Sequence, residues 1–352
     1  MNPVEGSIES LMPSGDREPR SAAGTPVRGS VGDVVLEWFR SGAVIGLTPW
    51  VILAILVVLY GSRQSGVYTF NELNIFTGET LTLILIAFGQ TLVIVSGGID
   101  LSLGGILSLV TCIASLHFGD GGLQMWLVMA ALLVGCTAAG AVNGFLIGVT
   151  RMQPFIVTLA TLSVFNGAAL WILPTNGGTV PNNWVNFGNG VWLGVATPVW
   201  LLLLMVAFWL FFKRTRLWFE IRSVGSSQEA AFLSGVPVVR TVVTTYALSG
   251  LFACLAALYY ITQSVSGNPT VGTDYILTSV IAVVLGGTAL TGGRGGFGGS
   301  IAGAYIPTLI GSVIFIYGID SNWQELVEGV LLIIAVLLNV LTVYLVRRRN
   351  AA

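Results

Sequence analysis

The sequence predicts an all-α, polytopic membrane protein with about ten transmembrane helices. Three observations carry that prediction. Of 352 residues, 54% are hydrophobic and only 9% charged, whereas soluble domains carry roughly 25% charged residues. The mean hydropathy is +0.86, so the chain lacks the polar exterior that water demands, and membrane residence is the composition class that fits. The apolar residues also gather into ten stretches, near 43–60, 80–97, 101–117, 123–149, 155–173, 195–213, 240–263, 275–291, 297–316 and 325–346. A helix needs about 20 mostly apolar residues to cross a bilayer. A net charge of −1 gives no footprint for a nucleic-acid partner.

The amino-terminal segment, residues 1–42, differs from the rest. It is polar, rich in Pro, Gly and Ser, and without periodicity, which reads as a disordered cytoplasmic tail. The first apolar stretch begins too late for a secretory signal, and no small-residue cleavage site follows it. Basic residues then orient the spans. With the amino terminus in the cytoplasm, one side receives the four tail arginines, Arg151, the five Lys and Arg from Lys213 to Arg240, Arg294 and Arg347 to Arg349. Arg63 alone falls on the other side. This asymmetry is what the positive-inside rule requires. It makes 43–346 the membrane domain, with both termini, including the short 347–352 tail, cytoplasmic.

The second and third stretches meet at "SGGIDLSLGGILS". Asp100 is the single charged residue between Glu79 and Asp120. A charge at the centre of a lone helix costs about 2.5–3.5 kcal/mol on insertion scales. Gly97 and Gly98 can end one helix and Leu101 start the next, placing Asp100 at a helix N-terminus that favours an anion. The pair of stretches then reads either as two spans or as one broken, partly re-entrant element. Asp100 itself reads as a capping carboxylate at the cytoplasmic mouth or as a group in gating or interdomain contact. Further on, Gly140, Gly144 and Gly148 lie four apart on one helix face, where small residues let backbones approach. Pro154 suits the first turn of the helix that follows it.

The longest internal cytoplasmic connection, 213–240, mixes charge with apolar residues. Within it, "SSQEAAFLSG" reads as a short helix that Ser opens and Gly235 stops, with Pro237 beyond. Helical spacing puts Ala230, Leu233 and Ser234 on one face. The segment is either a solvated, positively charged connector or a docking element for a cytoplasmic partner. The stretch "GGTALTGGRGGFGGS" contains Gly293, Gly295 and Gly298 at the spacing of a dinucleotide fingerprint. That motif needs a preceding strand, and a membrane span precedes it here. It reads instead as a tight, flexible turn between two spans with Arg294 marking the inner face, and Gly292, Gly293 and Arg294 join Gly97, Gly98 and Asp100 as gating or helix-break candidates.

Other chemistry is sparse. Cys112, Cys136 and Cys254 lie inside apolar runs without metal-ligand spacing, and His117 is the sole histidine. No catalytic triad, histidine cluster or carboxylate pair is present, so these residues do not point to an enzyme. The single lysine, Lys213, has no phosphate-loop glycines before it, so no Walker A motif supplies nucleotide binding.

Four stretches together resemble the permease subunit of ATP-binding-cassette sugar importers of the ribose/xylose type. They are "GQTLVIVSGGIDLSLGGILSL" (89–109), "NGFLIGVTRMQPFIVTLATLSVFNG" (143–167), "VGSSQEAAFLSGV" (224–236) and "VVLGGTALTGGRGGFGGSIAGA" (283–304). The resemblance covers nearly the whole membrane region. It implies a type II importer-like permease in the bacterial inner membrane, paired with a second copy or a homologous permease. A double-cassette ATPase would bind ATP and Mg, and a periplasmic binding protein would deliver a monosaccharide. No cofactor is implied on this chain. Glu229, Ala230, Ala231 and Gly235 would form the ATPase-coupling loop. Phe232 stands where such permeases often carry a basic residue. Ala160 and Ser227 are further departures, in the "TLAT" and "GSS" stretches, and bear on the fit to the partner.

Sugar contacts should come from uncharged polar groups inside spans, which makes Gln90, Asn143, Thr158, Thr161 and Asn166 pathway candidates. Phe155, Phe165 or Trp171 are available to stack on a sugar face. Polar groups also join helices, so each candidate has that second reading. The sugar stays open among pentoses, hexoses, polyols and signalling furanosides. The rival function is an ion-coupled sugar or polyol carrier, which would draw its ion site from Asp100 or Asp274.

Overall fold

The computed structural model describes residues 43–64, 69–320 and, beyond these, 322–324, 326–331, 333 and 337. The expected tails at 1–42 and 347–352, and most of the tenth stretch, lie outside the described residues. Among the described residues the chain is helical, apart from one two-stranded hairpin, Val191–Trp192 (β1) paired antiparallel with Val195–Ala196 (β2). The helices are α1 (Ala43–Gly61), α2 (Phe70–Val95), α3 (Ser102–His117), α4 (Leu123–Thr150), α5 (Pro154–Ile172) and α6 (Asn182–Asn189). They continue as α7 (Thr197–Phe212), α8 (Arg216–Ser226), α9 (Gln228–Leu233), α10 (Val238–Ser264), α11 (Gly272–Leu285) and α12 (Phe297–Ile316).

Among the described residues, five of these, α2, α4, α5, α10 and α12, are long and apolar enough to cross a bilayer, and α7 with α8, bent by 76°, adds a sixth if the pair is one broken span. Three expected spans are shorter as helices. The apolar part of α1 is Pro49–Gly61, α3 has 16 residues and α11 has 14. At 1.5 Å per residue, α11 reaches about 21 Å, short of the roughly 30 Å hydrocarbon core. The eighth stretch, expected to run to 291, loses its helix at Leu285, where Gly286 and Gly287 begin a glycine-rich turn. The second extends ten residues further back than its apolar run, because Thr69 caps it by accepting the Glu72 backbone N–H at 3.3 Å.

Burial arranges the bundle around α2. Of its most apolar 18-residue window, 94% is buried, against 28% for α4 and 17% for α5. Leu127, Val134, Val164 and Trp171 stand exposed on α4 and α5, a face that lipid or another apolar surface must cover. An aromatic knot sits on the inner side of α2. The Phe88 ring lies 4.3 Å from Phe252 and 4.5 Å from Phe297, with Trp209 and Phe212 around it.

The closest helix pair is α4 with α10. The glycine stripe read from the sequence makes that approach possible. A β-carbon at Gly140 would lie 2.1 Å from the Tyr246 carbonyl oxygen, and one at Gly144 would lie 2.7 Å from the Val243 α-carbon. Gly250 answers from α10, against the Cys136 carbonyl. These helices touch backbone to backbone, the packing mode that small residues permit in membranes.

Candidate functional site

The connection from α2 to α3 is a true helix break. Gly97 turns left-handed at φ +90°, and the N–H groups of Gly97 and Gly98 donate to the carbonyls of Ile94 and Val93, each at 3.0 Å. This closes α2 as a glycine C-terminal cap. Three other elements then enclose the freed backbone. The Val95 carbonyl accepts the Gly293 N–H at 2.9 Å, and the Ile99 carbonyl accepts the Thr158 hydroxyl of α5 at 3.1 Å. Asp100, 2% exposed, takes the Ser102 N–H at 3.0 Å and the Ser102 hydroxyl on one oxygen, and the Ser249 hydroxyl of α10 at 2.8 Å on the other. Asn143 of α4 donates to Ser102 at 3.0 Å.

One Asp100 oxygen accepts the first backbone N–H of α3, and the other ties the break to a different span, α10. Among the described residues no cation lies against the carboxylate; its three donors are neutral and offset part of the cost of burying it.

The glycine turn packs on the same break. Gly292 and Gly293 are buried and left-handed, at φ +81° and +74°, so the turn is tight and its glycines also serve close packing. A β-carbon at Gly292 would fall 2.7 Å from the Gly225 carbonyl oxygen and 3.0 Å from the Gly97 α-carbon. Gly225, in the last turn of α8, has the Val95 carbonyl oxygen 1.8 Å from its would-be β-carbon. Arg222 of α8 donates to the Gly293 carbonyl at 3.3 Å. Three chain segments therefore meet through their backbones; close approach requires glycine at 225 and 292, and the left-handed φ favours it at 97. Arg294 is exposed and marks the rim, its carbonyl accepting the Ala289 N–H at 3.1 Å. Helix α11, not a strand, precedes these glycines.

The short helix expected in the 213–240 connection is present as α9. Ser227 caps it by accepting the Ala230 N–H at 3.2 Å, and Gly235 ends it at φ +80°. Glu229, Ala230 and Gly235 are exposed, and Phe232 and Leu233 are 71% and 79% exposed. Ala231 differs: it is buried and packs with Val93, Ile147, Val157, Val224, Val242 and Tyr246. Its small side chain anchors α9 to the bundle and is not free to touch a partner. Helix α8, which the sequence reading missed, buries Trp218, Ile221 and Val224 on one stripe and rests Trp218 against Trp209 at 4.8 Å.

The pathway candidates separate by how their hydrogen-bonding capacity is spent. Thr158 bonds Ile99 and its own helix, and Thr161 bonds only backbone carbonyls of α5. Asn143 uses its amide N–H₂ on Ser102 and leaves Oδ1 without a partner; Asn166 Oδ1 is also without one. Gln90 is fully buried in α2, and both its Oε1 and Nε2 lack partners among the described residues. Among the aromatic candidates, Phe165 packs against the core, while Phe155 and Trp171 are exposed on α5.

Apolar helices around a buried, broken segment, with a capped helix pair seated on the break, define a multi-pass membrane protein. A family model described as the permease component of branched-chain amino acid transport systems matches residues 73–336. The chain belongs to this family. It is 34% identical to the ribose import permease protein of Escherichia coli strain K12 over 297 residues, 82% of this chain and 92% of that one. The ribose import permease protein of Bacillus subtilis is 35% identical over 305 residues, covering 85% and 94%. The fructose import permease protein of Bifidobacterium longum is 32% identical over 302 residues, covering 82% and 88%. No solved structure matches the chain.

Proposed function

We propose that this chain is the permease subunit of an ATP-driven importer that moves a monosaccharide of the ribose or xylose kind across the inner membrane. The observation that carries the reading is the likeness, along more than four-fifths of the chain, to permeases named for sugars, although the family description speaks of amino acids. In this reading ten helices cross the membrane and both termini are cytoplasmic. A second copy or a related permease completes the pathway. A double-cassette ATPase binds ATP and Mg and grips α9 through Glu229, Ala230 and Gly235. A periplasmic binding protein supplies the sugar from the opposite side.

The geometry supports a route for the power stroke. Helices α8 and α9 lie one residue apart, and α8 meets the α2–α3 break through Gly225. Movement of α9 would reach Gly97, Gly98 and Asp100, and the turn at Gly292 and Gly293, without a flexible intermediary. Gln90, with its unspent amide, is the leading pathway contact for sugar hydroxyls, followed by Asn143 and Asn166. Thr158 and Thr161 serve the helices.

Uptake in proteoliposomes tests the assignment. The permease is reconstituted with its ATPase and binding protein, and labelled D-ribose, D-xylose and L-leucine are compared. ATP-dependent uptake of a sugar, insensitive to a proton uncoupler, is expected. Uptake of leucine alone would return the substrate to the amino-acid class, and uncoupler-sensitive uptake without ATP would favour the ion-coupled carrier.

A further inference from the structure

The Tyr246 hydroxyl is the feature that the transport reading leaves unused. It is buried, with the residue 1% exposed, and has no hydrogen-bond partner among the described residues. Leaving such a group unpaired costs about 1–3 kcal/mol, and buried polar groups in native proteins are rarely abandoned. The hydroxyl lies over Gly98, 2.4 Å from where a β-carbon would sit, so any other residue at 98 would take its place. Gly98 is two residues from Asp100, and Tyr246 is within electrostatic range of that carboxylate.

Tyr246 and Ser249 are three residues apart and share one face of α10. Along the axis they are separated by about 4.5 Å. Helix α10 begins four residues after α9 ends, at Val238, so a push on α9 is delivered to the start of α10. Beside Tyr246 and Ser249 the surfaces that flank it are smooth, whereas further along Phe252 packs on Phe88 and the Tyr259 hydroxyl donates to the Gly78 carbonyl, contacts that must shift with the helix. Gly140 and Gly144 face it from α4, and Gly89 from α2 lies against Ser249 itself, with 3.2 Å from its would-be β-carbon to the Ser249 α-carbon. Backbone contacts of this kind allow a helix to slide without unlocking interdigitated side chains.

We infer that Asp100 is a two-position latch on α10, held by the Ser249 hydroxyl in this conformation and by the Tyr246 hydroxyl in the alternate one. A shift of α10 away from α9 by at most about 4.5 Å brings the tyrosine donor to the carboxylate as the serine donor leaves. The buried charge keeps a donor in both positions, and the break at 96–101 has two discrete seats rather than a continuum, as a switching element requires. Tyr246 and Ser249 are thus positioning residues for the alternation of access. This rests on the permease reading above.

Cysteine accessibility tests it. An Ile99→Cys reporter is placed at the break in the full-length permease, and inside-out membrane vesicles are treated with a membrane-impermeant maleimide. Cys112, Cys136 and Cys254 are buried. Ser249→Ala weakens this conformation and Tyr246→Phe weakens the other, so the two must shift the labelling rate in opposite directions, each by about ten-fold. Asp100→Asn should erase both differences, because the two donors act through one acceptor. Tyr246→Phe is decisive, since it removes a hydroxyl that bonds nothing here and a purely structural role predicts no change in labelling. Shifts in the same direction, or a Tyr246→Phe rate within two-fold of the reporter alone in protein that remains monodisperse by gel filtration, would overturn the latch. Labelling needs neither sugar nor ATPase, so it can fail while ATP-driven sugar uptake by the wild type stands, and the reverse.

Discussion

Gly225→Ala places one methyl group at the point where α8, the α2 terminus and the glycine turn converge. That methyl would sit 1.8 Å from the Val95 carbonyl oxygen and 2.7 Å from the Gly293 nitrogen. Carbon and its neighbours settle near 3.5–4.0 Å, so one segment must retreat by more than an ångström. All three contacts are backbone, and no side chain can rotate away. Overpacking of this kind costs about 1–3 kcal/mol. The retreat also strains the 2.9 Å bond from the Gly293 N–H to Val95, worth about 1 kcal/mol. Against this, alanine in a helix gains about 1 kcal/mol over glycine.

The balance is a loss of about 1–3 kcal/mol, or roughly 5- to 150-fold in the occupancy of the packed junction. Thermal unfolding in detergent and ATP-driven uptake measure it together, with Gly298→Ala as the control. Gly298 is exposed in the first turn of α12, and nothing lies within 4 Å of its would-be β-carbon. Gly225→Ala should unfold earlier than the control and transport at least five-fold more slowly. If the two variants behave alike, the backbone junction does not connect the α8–α9 segment to the break.

Three further outcomes follow from named contacts. Gln90→Leu removes an amide with no partner, so thermal stability should rise by about 1–3 kcal/mol while sugar uptake falls; unchanged uptake would remove Gln90 from the pathway. Gly235→Ala forces a side chain into φ +80° at a cost of about 1–2 kcal/mol, and should lower ATPase coupling while the permease still inserts; normal sugar-stimulated ATPase would count against α9 as the docking element. Thr158→Val takes the hydroxyl from the Ile99 carbonyl and should lower stability by about 1 kcal/mol, read by the same unfolding assay and unlike the near-neutral effect expected of Ser163→Val on the exposed face of α5.

Much of this architecture was legible because hydropathy reports burial in lipid one residue at a time. The helix around Gly140, Gly144 and Gly148, the start at Pro154 and the short helix at 228–233 each carry a local signal. The missed pieces have none. The first turns of α2 are polar, and only the Thr69 cap reveals that helix continues there. Helix α8 is amphipathic and sits in a charged connection, so its pattern resembled a solvated linker. Ala231 enters the coupling loop only through the family resemblance, which marks a stretch but not which of its residues turns inward. The glycine turn was read as flexible because φ freedom and close approach call for the same residue. Only the neighbours of Gly292 and Gly293 distinguish the two. Gln90 and Thr158 looked equivalent in sequence; the difference is whether a carbonyl waits within reach.

The aspartate in an apolar stretch is explained by the backbone around it. Non-helical chain at membrane depth leaves N–H and C=O groups that lipid cannot satisfy, and it persists only where protein encloses it. Between Val95 and Ser102, three such groups are met from within the protein: the Val95 carbonyl by Gly293, the Ile99 carbonyl by Thr158, and the Ser102 N–H by Asp100. A neutral cap such as serine could serve the last of these. Only a carboxylate offers a second oxygen to reach Ser249 on α10. A charge is retained there because it has to hold two elements at once, one fixed to its own helix and the other on a helix that leads directly from α9.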